Sequence, residues 1–319
     1  MIFMVAARDF GLRRLVGRLK GSALILLASW VALAVVTGFL VRGELRGDER
    51  LVGVRVTSDV VYRDEGGRRE RLDVYEPEGV APPGGRPALL ALHGGGWRGG
   101  SKRDYGRSLA ALARSGVVVV AADYRLSGDD SPSWPENIED VREAVRWLHK
   151  HASEYQVDRS RVGVIGASAG GHLALLLGME KDHLRDDERV SAVIDFYGPT
   201  DLGALFAGSG SANLSARLMT GGSPTDRART YDEASPLKHV SEGVAPVLIF
   251  HGGDDWLMPL EQSRRLERAM GEANVRCRLV VVDGARHGFG LRVGERDLVP
   301  EILQFLEEVW ARVPERLGR

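Results

Sequence analysis

Short apolar runs alternate along this chain with longer segments of mixed polarity. The runs at 51–62, 71–75, 88–92, 117–122, 162–165, 190–196, 247–250 and 278–282 are rich in Val, Ile, Leu and Ala and read as eight strands. Between many of them, residues 103–114, 138–151, 169–179, 260–270 and 301–312 place apolar residues three and four apart with charges opposite, the period of amphipathic helices. The stretch VVVVAA at 117–122 is apolar on both faces, as a central parallel strand between two helical layers must be. The first two strands are joined instead by RDEGGR at 63–68, a turn-forming sequence that predicts an antiparallel hairpin at the sheet edge. Strand–helix alternation of this kind predicts an α/β fold, a mostly parallel eight-stranded sheet with helices on both faces. Residues 198–240 interrupt the pattern. They are richer in Gly, Ser, Pro and Thr and show no clear strand, which suits either a small lid over a site or an ordinary surface excursion.

One segment obeys neither period. Residues 22–41 carry no charge, have no polar face and are long enough to cross the hydrocarbon core of a bilayer as a helix. Arg8, Arg13, Arg14, Arg18 and Lys20 precede this run against a single Asp9, whereas Glu44, Asp48 and Glu49 dilute the arginines that follow. The expectation is a signal anchor with residues 1–21 in the cytoplasm, a linker at 42–50 and the domain 51–319 outside it. The small residues Ala32-Leu33-Ala34 offer the alternative of a cleaved signal peptide and a secreted domain.

Composition narrows the classes of function. At 319 residues, 44% of them hydrophobic, the chain can bury the core of one large domain and still carry an appendage. Its 43 basic and 44 acidic residues leave a formal charge of −1, which gives no overall attraction to nucleic acid. The single cysteine, Cys277, excludes an intramolecular disulfide.

The candidate chemistry begins at Gly166-Ala167-Ser168-Ala169-Gly170, between the strand 162–165 and the helix 169–179. A GxSxG pentapeptide in that setting is a nucleophile elbow, which lifts a serine hydroxyl above the sheet edge at a helix start. A serine hydroxyl is a weak nucleophile, so Ser168 needs a base within hydrogen-bond reach and a carboxylate to fix that base's tautomer. With an elbow of this kind the order along the chain is Ser, acid, His. Of the histidines that follow, His172 lies one turn into the helix, His183 and His239 fall in surface segments, and His251 begins a turn. His287 sits on the Gly-flanked loop DGARHGFG beyond the last strand and is the candidate base. The loop after the preceding strand offers Asp254 and Asp255, either of which could orient the imidazole. His93-Gly94-Gly95-Gly96-Trp97, directly after the strand 88–92, is a glycine loop of the kind that meets an oxyanion with backbone N–H groups, with the N–H of Ala169 as a further donor. Trp97 and Trp256 flank these segments and either line a pocket or pack in the core.

Taken together, HGGGWRGGSK (93–102), DYRL (123–126), GASAGGHLA (166–174), YGPTDL (197–202), ASPL (234–237) and HGGDDWLMP (251–259) resemble the carboxylesterase branch of the α/β-hydrolase superfamily. That branch includes feruloyl and acetyl-xylan esterases and kynurenine formamidases and lies near the hormone-sensitive lipase group. The resemblance covers roughly residues 54–306 and leaves the apolar run 22–41 outside it. It implies Asp255 as the acid, since related enzymes read Asp-x-x-Val-Pro where this chain has Asp255-Trp256-Leu257-Met258-Pro259. It further implies Ser168 as nucleophile, His287 as base, Gly95, Gly96 and Ala169 as oxyanion donors, a small-molecule ester as substrate, and no metal or organic cofactor. Hormone-sensitive lipase relatives usually carry Asp where this chain has Ala167, and a longer N-terminal cap. Two other readings stand beside esterase: a peptidase or amidase of the same fold, of which the prolyl-oligopeptidase type normally brings a large propeller that this chain has no room for, and a catalytically inactive binding module, which has no physical need of a triad.

Overall fold

The computed structural model describes residues 52–311 except 107, 181–184 and 208–210. Two strands, β1 (Val54–Glu65) and β2 (Arg68–Pro77), form the antiparallel hairpin that the turn sequence predicts, closed by Gly66 and Gly67 at φ 61° and 79°. Beyond them come β3 (Arg86–Leu92), β4 (Val118–Ala122), β5 (Val157–Ala167), β6 (Val193–Phe196), β7 (Val247–Gly252) and β8 (Cys277–Val282). The eight strands lie in the order β1-β2-β4-β3-β5-β6-β7-β8. Only β2 runs against its neighbours; from β4 to β8 every pairing is parallel.

Pleating explains why the central runs are apolar throughout. Leu90 and Leu92 of β3 enter the apolar cluster on one face of the sheet, while Leu89 and Ala91 enter the cluster on the other. The first cluster is completed by α2 (Glu136–Lys150), through Val141 and Leu148, and by α3 (Ala169–Met179), through Leu173 and Leu176. The second is covered by α1 (Ser108–Arg114) and, from the far end of the chain, by Ile302 and Phe305 of the C-terminal helix at 299–310. The excursion at 198–240 holds three short helices, α4 (Leu202–Ala207), α5 (Ser211–Thr220) and α6 (Ala228–Glu233). After β7 comes α7 (Glu261–Glu272), and the last helix is α8 (Val299–Trp310).

The sequence pattern and the structure part in three places. The helix expected at 103–114 begins only at Ser108, because the segment before it is held in turns by Lys102, whose buried ammonium lies 2.7 Å from Asp59 and 3.0 Å from Asp73. Strand β5 starts five residues earlier than its apolar run, and the two-residue strands β9 (Arg292–Val293) and β10 (Arg296–Asp297) have no apolar signal at all. Among the described residues no helix is long and apolar enough to cross a membrane. The run 22–41, with the basic segment before it and the linker after it, lies outside the described residues.

Because β3, β5, β6, β7 and β8 are parallel, the loops that leave them open on one edge of the sheet. That carboxyl edge is where open α/β sheets assemble their sites.

Candidate active site

The turn from β5 into α3 is tight enough to constrain every residue in it. Ser168 has φ 52° and ψ −114°, a strained conformation for a residue with a side chain, and its N–H donates to Phe196 O at 2.8 Å. A Cβ on Gly170 would fall 2.0 Å from the carbonyl oxygen of Leu92, so only glycine lets the helix start pass under the end of β3. The strain is held by the parallel ladder on either side, and it presents the Ser168 hydroxyl at the sheet edge.

Two other loops deliver its partners. The Ser168 hydroxyl donates to His287 Nε2 at 3.0 Å, and His287 Nδ1–H donates to Asp255 Oδ2 at 2.7 Å. The second oxygen of Asp255 accepts from the backbone N–H groups of Leu257 and Met258 at 3.0 and 2.8 Å, so the carboxylate is held at both ends. Its side chain is fully buried, and that of His287 is 4% exposed. Asp254, the neighbouring candidate, is exposed and its own N–H is tied to Ala285 O at 3.0 Å. The structure therefore brings Ser168, His287 and Asp255 together and leaves Asp254 outside.

The glycine loop after β3 lies directly against the elbow. A Cβ on Gly94 would stand 3.6 Å from Ser168 Cβ, and Gly95, Gly96 and Trp97 all have positive φ, at 115°, 61° and 57°. The N–H groups of Gly95, Gly96 and Ala169 donate to nothing else among the described residues, as donors reserved for a ligand would. The loop is pinned at both ends: Lys102 N–H donates to Asp123 Oδ1 at 2.8 Å, and Tyr124 OH donates to His93 O at 2.7 Å while its ring stacks on the His93 imidazole. Burial holds the His93 pKa below its usual value, so the ring is neutral and donates Nδ1–H to Gly94 O at 2.7 Å.

Trp97 does not line an open pocket. It is 2% exposed, and its indole N–H donates to His172 Nδ1 at 3.2 Å, because a buried indole needs an acceptor and the core supplies one there. His172 in turn donates Nε2–H to Ala234 O at 2.7 Å, and its complete burial drives its pKa down to about 4. A neutral imidazole thus joins the glycine loop, α3 and the end of the excursion. Trp256, by contrast, is 66% exposed at the rim beside Asp255.

Three contributors escaped sequence reasoning or were seen there without a role. His251 is fully buried, accepts from the Ser263 hydroxyl at 2.7 Å and donates to Met258 O at 2.9 Å; burial lowers its pKa and keeps it neutral beside Asp255. It clamps the acid's loop to α7. Tyr197, in the YGPTDL motif, has φ 45°, donates its hydroxyl to Phe289 O and lays its ring 4.5 Å from the His287 ring, holding the histidine loop. Asp195, on β6 beneath the elbow, accepts from Gly198 N–H at 2.9 Å, while its other oxygen is buried without a partner. Burial pushes the Asp195 carboxyl up to about 8. Among the described residues no group of three or more His, Cys, Asp or Glu side chains is placed to hold a metal ion.

Comparison with known proteins adds a lineage. Residues 72–270 match the model of the BD-FAE family. The chain is 32% identical to the probable carboxylic ester hydrolase LipM of Mycobacterium tuberculosis, over 79% of this chain and 61% of that protein. It is 30% identical to ethyl acetate hydrolase of Pseudomonas putida, over 74% of this chain and 76% of that one. Among solved structures, the thermophilic esterase Est2 of Thermogutta terrifontis is similar with a TM-score of 0.67 at 29% identity, covering 86% of this chain and 99% of that one. Structures of that esterase include a form phosphorylated by paraoxon and a form with propionate bound. The chain spans about three fifths of the length of the first curated relatives it matches.

Proposed function

The chain belongs to the BD-FAE family within the α/β-hydrolase superfamily, and from that membership we propose that it is a serine carboxylesterase acting on small to medium carboxylic esters. The observation that carries the proposal is the unbroken path Ser168 Oγ to His287 Nε2 at 3.0 Å and His287 Nδ1 to Asp255 Oδ2 at 2.7 Å. In it, Ser168 Oγ attacks the ester carbonyl and His287 Nε2 takes its proton. Asp255 keeps Nδ1 protonated and stabilises the imidazolium that results. The carbonyl oxygen, now negative, is met by the N–H groups of Gly95, Gly96 and Ala169, which donate to no other backbone acceptor among the described residues. His287 then donates its proton to the departing alkoxide, which leaves an acyl group on Ser168. A water molecule, deprotonated by the same imidazole, attacks that acyl group; the bond to Ser168 Oγ then breaks, the carboxylic acid leaves and the imidazolium returns its proton to Oγ.

Hydrolysis of p-nitrophenyl esters from acetate to decanoate by the full chain tests this reading, with Ser168→Ala measured in parallel. Turnover that disappears in the variant supports it, and the preferred chain length sizes the acyl site. A folded wild-type chain inactive across the series contradicts it.

The site is proposed to work outside the cytoplasm, carried by a membrane anchor at 22–41. The support is the uncharged run with its basic N-terminal flank. Protease added to intact cells then releases the catalytic domain, and protection of that domain overturns the orientation.

A further inference from the structure

The excursion between β6 and β7 contributes one polar side chain to the oxyanion loop. Ser215, on α5, is 6% exposed, and its hydroxyl lies 3.0 Å from where a Cβ on Gly96 would stand. The other buried hydroxyls of the excursion, among the described residues, are occupied. Thr220 donates to Ala216 O at 2.9 Å, Ser235 to Tyr231 O at 2.6 Å, and Thr200 to the backbone of Gln262 at 2.9 Å. A helical serine ordinarily spends its hydroxyl on the carbonyl one turn back, as Thr220 does on this same helix. Ser215 Oγ has no partner among the described residues, yet it is absent from the unpaired polar atoms that are sealed off from solvent. The little exposure this residue has therefore includes its hydroxyl, which lies against Gly96. Its neighbours Ala216 and Met219 are fully buried in the core, so α5 is fixed and the hydroxyl is not free to wander. An unpaired O–H held against a loop whose N–H groups are also unpaired is a donor placed for a ligand rather than for the fold.

We propose that Ser215 Oγ is a side-chain donor of the oxyanion site, hydrogen-bonding the ester's carbonyl oxygen as it becomes negative. The proposal rests on the esterase reading and adds to it a residue from outside the triad and the glycine loop. The donor comes from the excursion, so that segment takes part in the chemistry instead of only covering it. A hydroxyl can rotate to follow the oxygen from the trigonal ester to the tetrahedral intermediate, and its bond strengthens as charge develops. The interaction therefore acts on the transition state more than on ground-state binding.

The test is steady-state hydrolysis of p-nitrophenyl butyrate by the full chain, comparing wild type with Ser215→Ala and Ser215→Cys, each checked by thermal unfolding. Alanine removes the donor; cysteine keeps the shape and the packing on Gly96 but offers only a weak S–H. With loss of an oxyanion donor, kcat falls about tenfold or more in both variants while KM stays within about twofold and the melting temperature holds. If kcat is unchanged in both, if only KM rises, or if cysteine restores what alanine loses, Ser215 acts through packing or binding and the proposal is overturned. A wild-type chain without Ser168-dependent turnover removes the esterase reading itself, and this donor with it.

Discussion

At the scale of single residues, the site is a set of side chains whose neighbours leave them one conformation each. Asp255 is held by two backbone N–H groups on one oxygen and by His287 on the other, whereas Asp254 faces solvent. Asp255→Asn keeps the backbone contacts but turns an amide toward His287 Nδ1 and favours the wrong tautomer. Loss of kcat is then expected to reach roughly 10³–10⁴-fold, as for the same change in serine proteases. Asp254→Asn is expected to stay within about twofold, and steady-state kinetics of the pair decides the assignment. The sequence already pointed to Ser168 and His287, because the elbow and the order of the triad are local signals. It left two aspartates open until the spacing to Pro259 was compared with related enzymes. Trp97 and Ser215 were not legible in the same way. The acceptor of the Trp97 indole is 75 residues away, and the Ser215 hydroxyl lies against Gly96, on a loop distant from it in the chain.

At the scale of elements, the strands set where the loops emerge and a few buried polar links set how the loops are held. His251 is such a link, tying the Asp255 loop at Met258 to Ser263 on α7. His251→Leu leaves a buried carbonyl and a buried hydroxyl without partners, a cost of about 2 kcal/mol or more. The variant is expected to melt earlier and to lose kcat as the acid loosens; denaturant unfolding and kinetics together check both. If stability falls while kcat holds, the loop does not depend on this clamp. Apolar periodicity found the eight long strands and most of the helices. It overextended the helix before Arg114, since ion pairs from Lys102 to the hairpin hold residues that otherwise have helical spacing. It also missed β9 and β10, whose exposed arginines and aspartate carry no apolar signal.

At the scale of the whole molecule, buried titratable groups give stability two opposing slopes with pH. Asp195 holds its proton up to about 8 in the folded chain against 3.8 for an ordinary aspartate. Between these values the native state binds more protons than the unfolded one. The contribution from Asp195 is therefore full below 3.8 and is lost as pH rises toward about 8. His172 has the opposite sign. Its pKa is lowered from 6.5 to about 4, so the native state binds fewer protons there, and stability falls as pH drops through that window. Urea unfolding of wild type and Asp195→Asn from pH 5 to 9 isolates the first slope. The wild-type curve is expected to decline relative to the variant up to about pH 8 and to run parallel above it. Parallel curves throughout mean that Asp195 is ionised in the fold. Neither group could be ranked from sequence, because His172 and Asp195 are ordinary letters until α3 and β6 bury them completely. The α/β class was plain from the alternation of strands and helices. The polar interior was not, since it depends on which elements close over which residues.

The central claim is that Ser168 is the nucleophile of an ester-cleaving site, and stoichiometric labelling tests it most directly. The full chain is incubated with paraoxon, and intact mass and peptide mapping are read for wild type, Ser168→Ala and His287→Ala. Attack by the Ser168 oxygen on phosphorus expels p-nitrophenolate and leaves one diethylphosphoryl group per chain. That single addition is expected at Ser168 in wild type, with none in Ser168→Ala and much slower labelling in His287→Ala. A folded wild-type chain that stays unmodified, or one labelled equally well without Ser168, contradicts it.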